Sequence, residues 1–146
     1  MTTYLDATQE AGKAFYMRNM GDNLVMLNLL RFREHADYSG LSELAPKESI
    51  SGKEAYQLYM DHTLPFLETA GSEVLFFGEG GDFLIGPSEE KWDAVLMVRH
   101  KSASAFLAFA QNKEYLAKAG HRKAALLDSR LLPIGEYGKD GLSFIA

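Results

Sequence analysis

Apolar positions are gathered into short blocks. Residues 23–33 (NLVMLNLLRFR) are apolar at odd and even positions alike, interrupted by Asn28 and ending on Arg31 and Arg33. A surface strand alternates and a surface helix is apolar along one stripe, so a short run apolar on both parities predicts a strand buried on both faces. Residues 92–100 (WDAVLMVRH) have the same character and predict a second central strand. Residues 73–78 (EVLFFG) predict another strand. Gly80-Gly81 reads as a turn or bulge, with a short continuation over 82–85 before Gly86-Pro87 breaks the chain. A last strand is predicted over 130–134 (RLLPI), and Pro133, which lacks a ladder donor, places it at a sheet edge.

Helical spacing fills the intervals. Asp6 and Gln9 resemble a capping box opening a short helix, about 6–20, with Ala7, Ala11, Ala14 and Phe15 in register and Gly21 as the stop. Ser51 and Glu54 form a Ser-x-x-Glu box, after which Ala55, Leu58, Tyr59, His62 and Phe66 share one stripe. Pro65 predicts a kink or restart near 62–64, and Gly71 closes the helix. Ser102 and Asn112 can each cap a further helical segment, the second ending at Gly120 and the basic His121-Arg122-Lys123. Residues 34–50 are polar and turn-rich, a length of loop that is usually functional or mobile. The tail is glycine-rich, with an apolar end over 142–145 that could dock.

After the leading helix the order is strand, helix, strand, strand, helix, strand. This is the split β-α-β pattern of an α+β, ferredoxin-like fold, with an expected strand order of 4-1-3-2. The first and third strands are expected to be neighbours and parallel. Two helices cover one sheet face, so strands apolar on both faces need a second cover. The simplest is the sheet of an identical subunit, which predicts a homodimer packed face to face. At 146 residues the chain is expected to be one domain, with the core over about 23–137.

Composition narrows the function classes. A net charge of −5 and a pI near 5.3 disfavour non-specific nucleic-acid binding and attachment to anionic lipid. Absence of cysteine removes disulfides, thiolate nucleophiles and cysteine-ligated metals, and fits a reducing compartment as it fits any other. The N-terminal residues lack a basic and an apolar leader region, and no window reaches the length of a membrane span, so a cytoplasmic protein is expected.

One resemblance rests on an ordered set of motifs. Asn28-Leu29-Leu30-Arg31-Phe32-Arg33, Ser51-Gly52-Lys53-Glu54-Ala55-Tyr56 with Tyr59, Phe77-Gly78-Glu79, Ile85-Gly86-Pro87, Trp92-Asp93-Ala94-Val95, and Phe106 with Tyr115 and Arg122 together resemble the domain-of-unknown-function family 1330. The similarity spans roughly residues 24–134. That family is similar to the dimeric α/β-barrel superfamily, so the resemblance implies two ferredoxin-like protomers with paired sheets. The superfamily includes cofactor-free monooxygenases, haem enzymes, isomerases, lyases and members without known activity, and the fold does not choose among them. The resemblance carries over no catalytic residues.

Candidate chemistry must come from the residues. If the first and third strands are parallel, Arg31 and Arg33 meet Arg99, His100 and Lys101 at one edge, near two helix N-termini, and could hold a carboxylate or phosphate. The plainer reading pairs these cations with Glu34, Asp37 or Glu54. Asn28, an amide in an apolar strand, either orients a ligand or bonds to neighbouring backbone or water. His62 could act as general base with Tyr59 one turn away, or sit as a satisfied core histidine. Trp92 either stacks a ligand or fills core. His35, His62, His100 and His121 lack metal-ligand spacing, and no nucleotide-binding loop or nucleophile elbow is present, so no metal and no cofactor is expected.

Two functions remain. One is a cofactor-independent enzyme for a small anionic or aromatic molecule, with His62 and Tyr59 moving protons and Asn28, Arg31, Trp92 and Arg99 holding the ligand. The other is a non-catalytic ligand-binding or assembly protein using the same pocket.

Overall fold

β1 (Leu24–Phe32) is the centre of the computed structural model, which describes residues 2–18 and 20–137. α1 (Gln9–Met17) precedes it. Then follow α2 (Gly52–Thr69), β2 (Glu73–Asp82), β3 (Lys91–His100), α3 (Ala103–Ala110), α4 (Lys113–Leu116), α5 (Gly120–Ala125) and β4 (Leu126–Ile134). The four strands form one sheet in the order β2-β3-β1-β4, the expected order read from the other edge. The result is a mixed α+β fold consistent with a ferredoxin-like arrangement.

The direction of β3 corrects one expectation. Every neighbouring pair is antiparallel, including β1 and β3, in which Leu24 faces His100 and Leu30 faces Ala94. The crossover through α2 returns the chain in the direction of β1, and the β2–β3 hairpin then reverses it. Arg31 and Arg33 therefore lie at one end of the sheet, and Arg99, His100 and Lys101 lie roughly 20 Å away at the other. The composite basic edge does not exist.

The sheet has two unlike faces. Leu30, Ala94, Leu96 and Val98 pack against Ala55, Tyr56, Tyr59 and Met60 of α2 in the main core, while Leu24 and Met26 pack with Phe15 of α1 and Phe106 of α3. Val25, Leu27 and Leu29 alternate to the other face, where Leu27 lies between Met97 and Leu132, and Leu29 faces Val95. None of these belongs to either core cluster, and Leu132 and Phe76 are 55% and 59% exposed.

Local rules explain most boundaries. Ser51 and Glu54 make both bonds of the capping box that starts α2, and the Ser51 bonds hold the Glu54 carboxyl below its ordinary range. α1 is capped by Thr8, whose hydroxyl accepts from the Ala11 amide, rather than by Asp6. α2 runs unbroken through Pro65 instead of restarting near 62–64. Asp61 and Pro65 are exposed, so water can serve the carbonyl that proline leaves unbonded. β2 is continuous through Gly80-Gly81 and carries a register shift between Val74 and Phe76. β4 starts at Leu126, four residues early, and keeps Pro133 on an edge strand. Residues 120–125 form a helix of their own rather than the end of the preceding one.

Two segments that looked loose are tied down. Residues 34–50 are held by backbone bonds from Ala36 to Ile50 and from Asp37 to Ala124, and by the Tyr38 hydroxyl against His121 Nδ1 at 2.7 Å. The N-terminal segment docks on β4: the Tyr4 amide donates to Asp128, the Ser129 hydroxyl donates to the Tyr4 carbonyl, and Arg122 donates to the Leu5 carbonyl. Burial pushes the Asp128 carboxyl up, but donors from Tyr4, Arg130 and Ser129 outweigh it and hold it below its ordinary range. The apolar tail over 142–145 lies outside the described residues.

Candidate functional site

A cavity of about 500 Å³ opens between the first two turns of α2 and the β2–β3 edge of the sheet. Lys53, Tyr56 and Gln57 form its roof. Its floor is Phe77 and Glu79 of β2 with Asp93 and Ala94 of β3, and Phe32 closes the β1 side. Strand geometry sets this floor, because Phe77 faces Leu96 and Glu79 faces Ala94, which puts both on the helix-covered face. Gly80 also lines the cavity. A side chain there would collide with the Trp92 carbonyl oxygen, so β2 approaches β3 this closely only with glycine.

The lining is aromatic with charged groups set into it. The Tyr56 ring lies 5.6 Å from Phe32 and 6.2 Å from Phe77. Tyr56 is 2% exposed, and its hydroxyl has no hydrogen bond among the described residues. Burial, with Tyr59 as a second cause, raises that hydroxyl above the ordinary phenol range and keeps it protonated at neutral pH. Asp93 is anchored, since its Oδ2 accepts from the Phe32 amide at 2.8 Å. Among the described residues the only ion pairs are Arg99–Glu73 and Arg130–Asp128, so Lys53, Glu79 and Asp93 stand unpaired around the cavity.

The six residues singled out from the sequence lie elsewhere. Tyr59 and Tyr115 share a hydrogen bond between hydroxyls at 2.7 Å in the core. His62 sits 3.0 Å from the Tyr115 carbonyl through Nε2, its ring 5.1 Å from Phe66. Asn28 donates to the Leu96 carbonyl at 3.1 Å, which is the backbone-bonded alternative. Arg31 is on the opposite sheet face, across from Asp128. Arg99 pairs with Glu73 at 3.6 Å, 44% exposed, a surface pair of little energetic weight. Trp92 is buried, donates to Glu90 and lies under the Arg130 guanidinium, 5.0 Å from its ring centre. None of the six lines the cavity.

Residues that do line it, Lys53, Tyr56, Phe77, Glu79 and Asp93, were available in the sequence by two signals. Asp93 is a carboxylate inside an otherwise apolar strand, which requires a partner or a purpose. The segments carrying Lys53 and Tyr56, Phe77 to Glu79, and Asp93 and Ala94 are also three of those that carry the family resemblance, and the fold brings them to one place. Among the described residues, no three His, Asp or Glu side chains are grouped as a metal would need.

No family model matches the chain, and comparison with curated proteins finds no match. Among solved structures, methylated RPA0582 protein is similar at 32% identity and a TM-score of 0.83, covering 95% of this chain and 98% of that one. A second structure of RPA0582, a protein of unknown function from Rhodopseudomonas palustris, is similar at 31% identity and a TM-score of 0.80, covering 94% and 99%. With this identity across nearly the whole of both chains, the protein belongs to the same family as RPA0582.

Proposed function

We propose that the protein is a cytoplasmic homodimer that binds a small aromatic molecule in the cavity under α2. The observation that carries the reading is the cavity itself: about 500 Å³, walled by Phe32, Tyr56 and Phe77, with Lys53, Glu79 and Asp93 unpaired at its surface. Pockets of this size with an apolar wall and a few placed polar groups are the usual form of small-molecule sites. Binding is favoured over turnover by His62 and Tyr59 because both side chains are engaged outside the cavity. The dimer is supported by the apolar sheet face of Val25, Leu27, Leu29, Val95 and Met97, which the helices leave uncovered, and by the resemblance to family 1330 and the dimeric α/β-barrel superfamily. No helix among the described residues is long and apolar enough to cross a membrane.

A thermal-shift screen of phenols, amines, quinones and carboxylates tests this. A compound held at a hundred times its Kd should stabilise the fold by about 2.7 kcal/mol. Gln57→Trp, which fills the roof, should abolish that gain while sedimentation still reports a dimer. A gain that survives Gln57→Trp would place binding elsewhere, and a monomer in sedimentation would remove the dimer.

A further inference from the structure

The cavity's charges are arranged asymmetrically. Asp93 and Glu79 both belong to the floor, while Lys53, an exposed residue of the roof, is the one cation of the lining. The Phe32 amide at 2.8 Å fixes the Asp93 carboxylate through one oxygen, and its other oxygen has no bond among the described residues. An ionised carboxylate is acceptor only, so that oxygen can take a donor and nothing else. Tyr56 is in contact with Phe32 and Phe77, with ring centroids 5.6 and 6.2 Å apart, so the three rings make one continuous aromatic wall on which a flat ring can lie and beside which a positive group is favoured.

Resting on the reading of this cavity as a ligand site, we propose that it selects a planar aromatic molecule presenting an amine or hydroxyl donor to Asp93, and rejects one presenting a carboxylate there. An ammonium gains a charge-assisted bond as well as the field of Glu79, a neutral hydroxyl gains the bond alone, and a carboxylate meets two like charges. Lys53 does not reverse this order, because it is exposed and water screens the attraction of its ammonium for a carboxylate. The order expected is amine, then phenol, then carboxylate.

Titration of the full chain with benzylamine, phenol and benzoate, followed by backbone amide NMR, tests the order. Benzylamine should bind at least about tenfold more tightly than benzoate, moving the amides of Phe77, Gly80 and Asp93. Asp93→Asn retains a carbonyl oxygen for the Phe32 amide and turns the free oxygen into an NH₂ donor, so it should remove most of the preference for benzylamine over benzoate, leaving only the smaller bias from Glu79. If that variant does not fold, Glu79→Gln, an exposed change, should weaken benzylamine severalfold and leave phenol unchanged. Equal or tighter binding of benzoate to the unmodified protein would overturn the selectivity while leaving the cavity a ligand site. Absence of shifts at these amides with all three probes would overturn both.

Discussion

The two halves of α2 carry similar side chains and do opposite things with them. Its first turns present Lys53, Tyr56 and Gln57 to a cavity in which, among the described residues, the charged groups lack ion-pair partners and the Tyr56 hydroxyl lacks a hydrogen bond. Its second half presents Tyr59, His62 and Phe66 to α4, where the Tyr59 hydroxyl meets that of Tyr115 at 2.7 Å and His62 meets the Tyr115 carbonyl at 3.0 Å. Rings close the remaining space, with Tyr115 4.5 Å from Phe109 and 6.4 Å from Phe66. Aromatic and titratable content is therefore a poor guide to a site. What separates the two regions is that the Tyr59 hydroxyl and the His62 ring are already bonded; the Thr63 hydroxyl of the same half is buried without a hydrogen bond among the described residues.

The largest way to break this contrast is to remove Tyr115. It is 9% exposed and joins α4 to Tyr59, Phe66 and Phe109. Tyr115→Ala should cost about 3–5 kcal/mol of stability, measured by denaturant unfolding, as expected for a buried aromatic truncated to a methyl. Binding by the folded fraction at the α2 N-terminal end should remain. A variant of normal stability would show that this end of α2 is not held as described.

A smaller effect tests the same rule at a third place. His100 is 2% exposed, bonds Ser72 through Nδ1 at 2.7 Å and packs against Phe106. Burial lowers its pKa from 6.5 to about 4. The folded state resists protonation more than the unfolded chain does, so His100 costs nothing above pH 6.5 and progressively more stability as pH falls toward 4. The loss across that window is about 3 kcal/mol. His100→Gln cannot charge, so the difference in stability between it and the parent should move by about that amount between pH 7 and 4. Carboxylates held below their ordinary range, such as Asp128, act at lower pH and cancel in the difference. A difference independent of pH would mean that His100 is not buried neutral.

What the sequence could reveal follows from how far each signal reaches. Apolar character on both parities was enough to identify β1 and β3 as the central pair, because burial is written into the pattern of each strand. Their relative direction depends on the β2–β3 hairpin, and periodicity carries no direction, so the pattern alone does not reveal that the Arg31 and Arg99 ends lie apart. Of the stripe Ala55, Leu58, Tyr59, His62 and Phe66, Ala55 and Tyr59 are buried and His62 and Phe66 half-buried, whereas Leu58 is exposed and Tyr56, outside the stripe, is buried in its place. Spacing cannot show that a hydroxyl and a carbonyl 53 to 56 positions later satisfy Tyr59 and His62. Asp93 was the legible clue to the cavity, a carboxylate in an apolar strand, but its anchor is the Phe32 amide 61 positions away.

The smallest effect bears most directly on function. His62 has the position and pairing that would suggest a base to anyone reading the helix alone, and His62→Ala separates that role from a structural one. The Tyr115 carbonyl loses one partner but keeps backbone donors, including the Lys118 amide at 3.4 Å, so the cost should be about 1 kcal/mol, part of it from the lost contact with Phe66. Affinity for any cavity ligand should be unchanged, because energetic effects at sites without shared partners add independently. Retained fold and retained binding in His62→Ala would confine His62 to the cemented half of α2. A tenfold loss of affinity at unchanged stability would couple the two halves and restore His62 to the site.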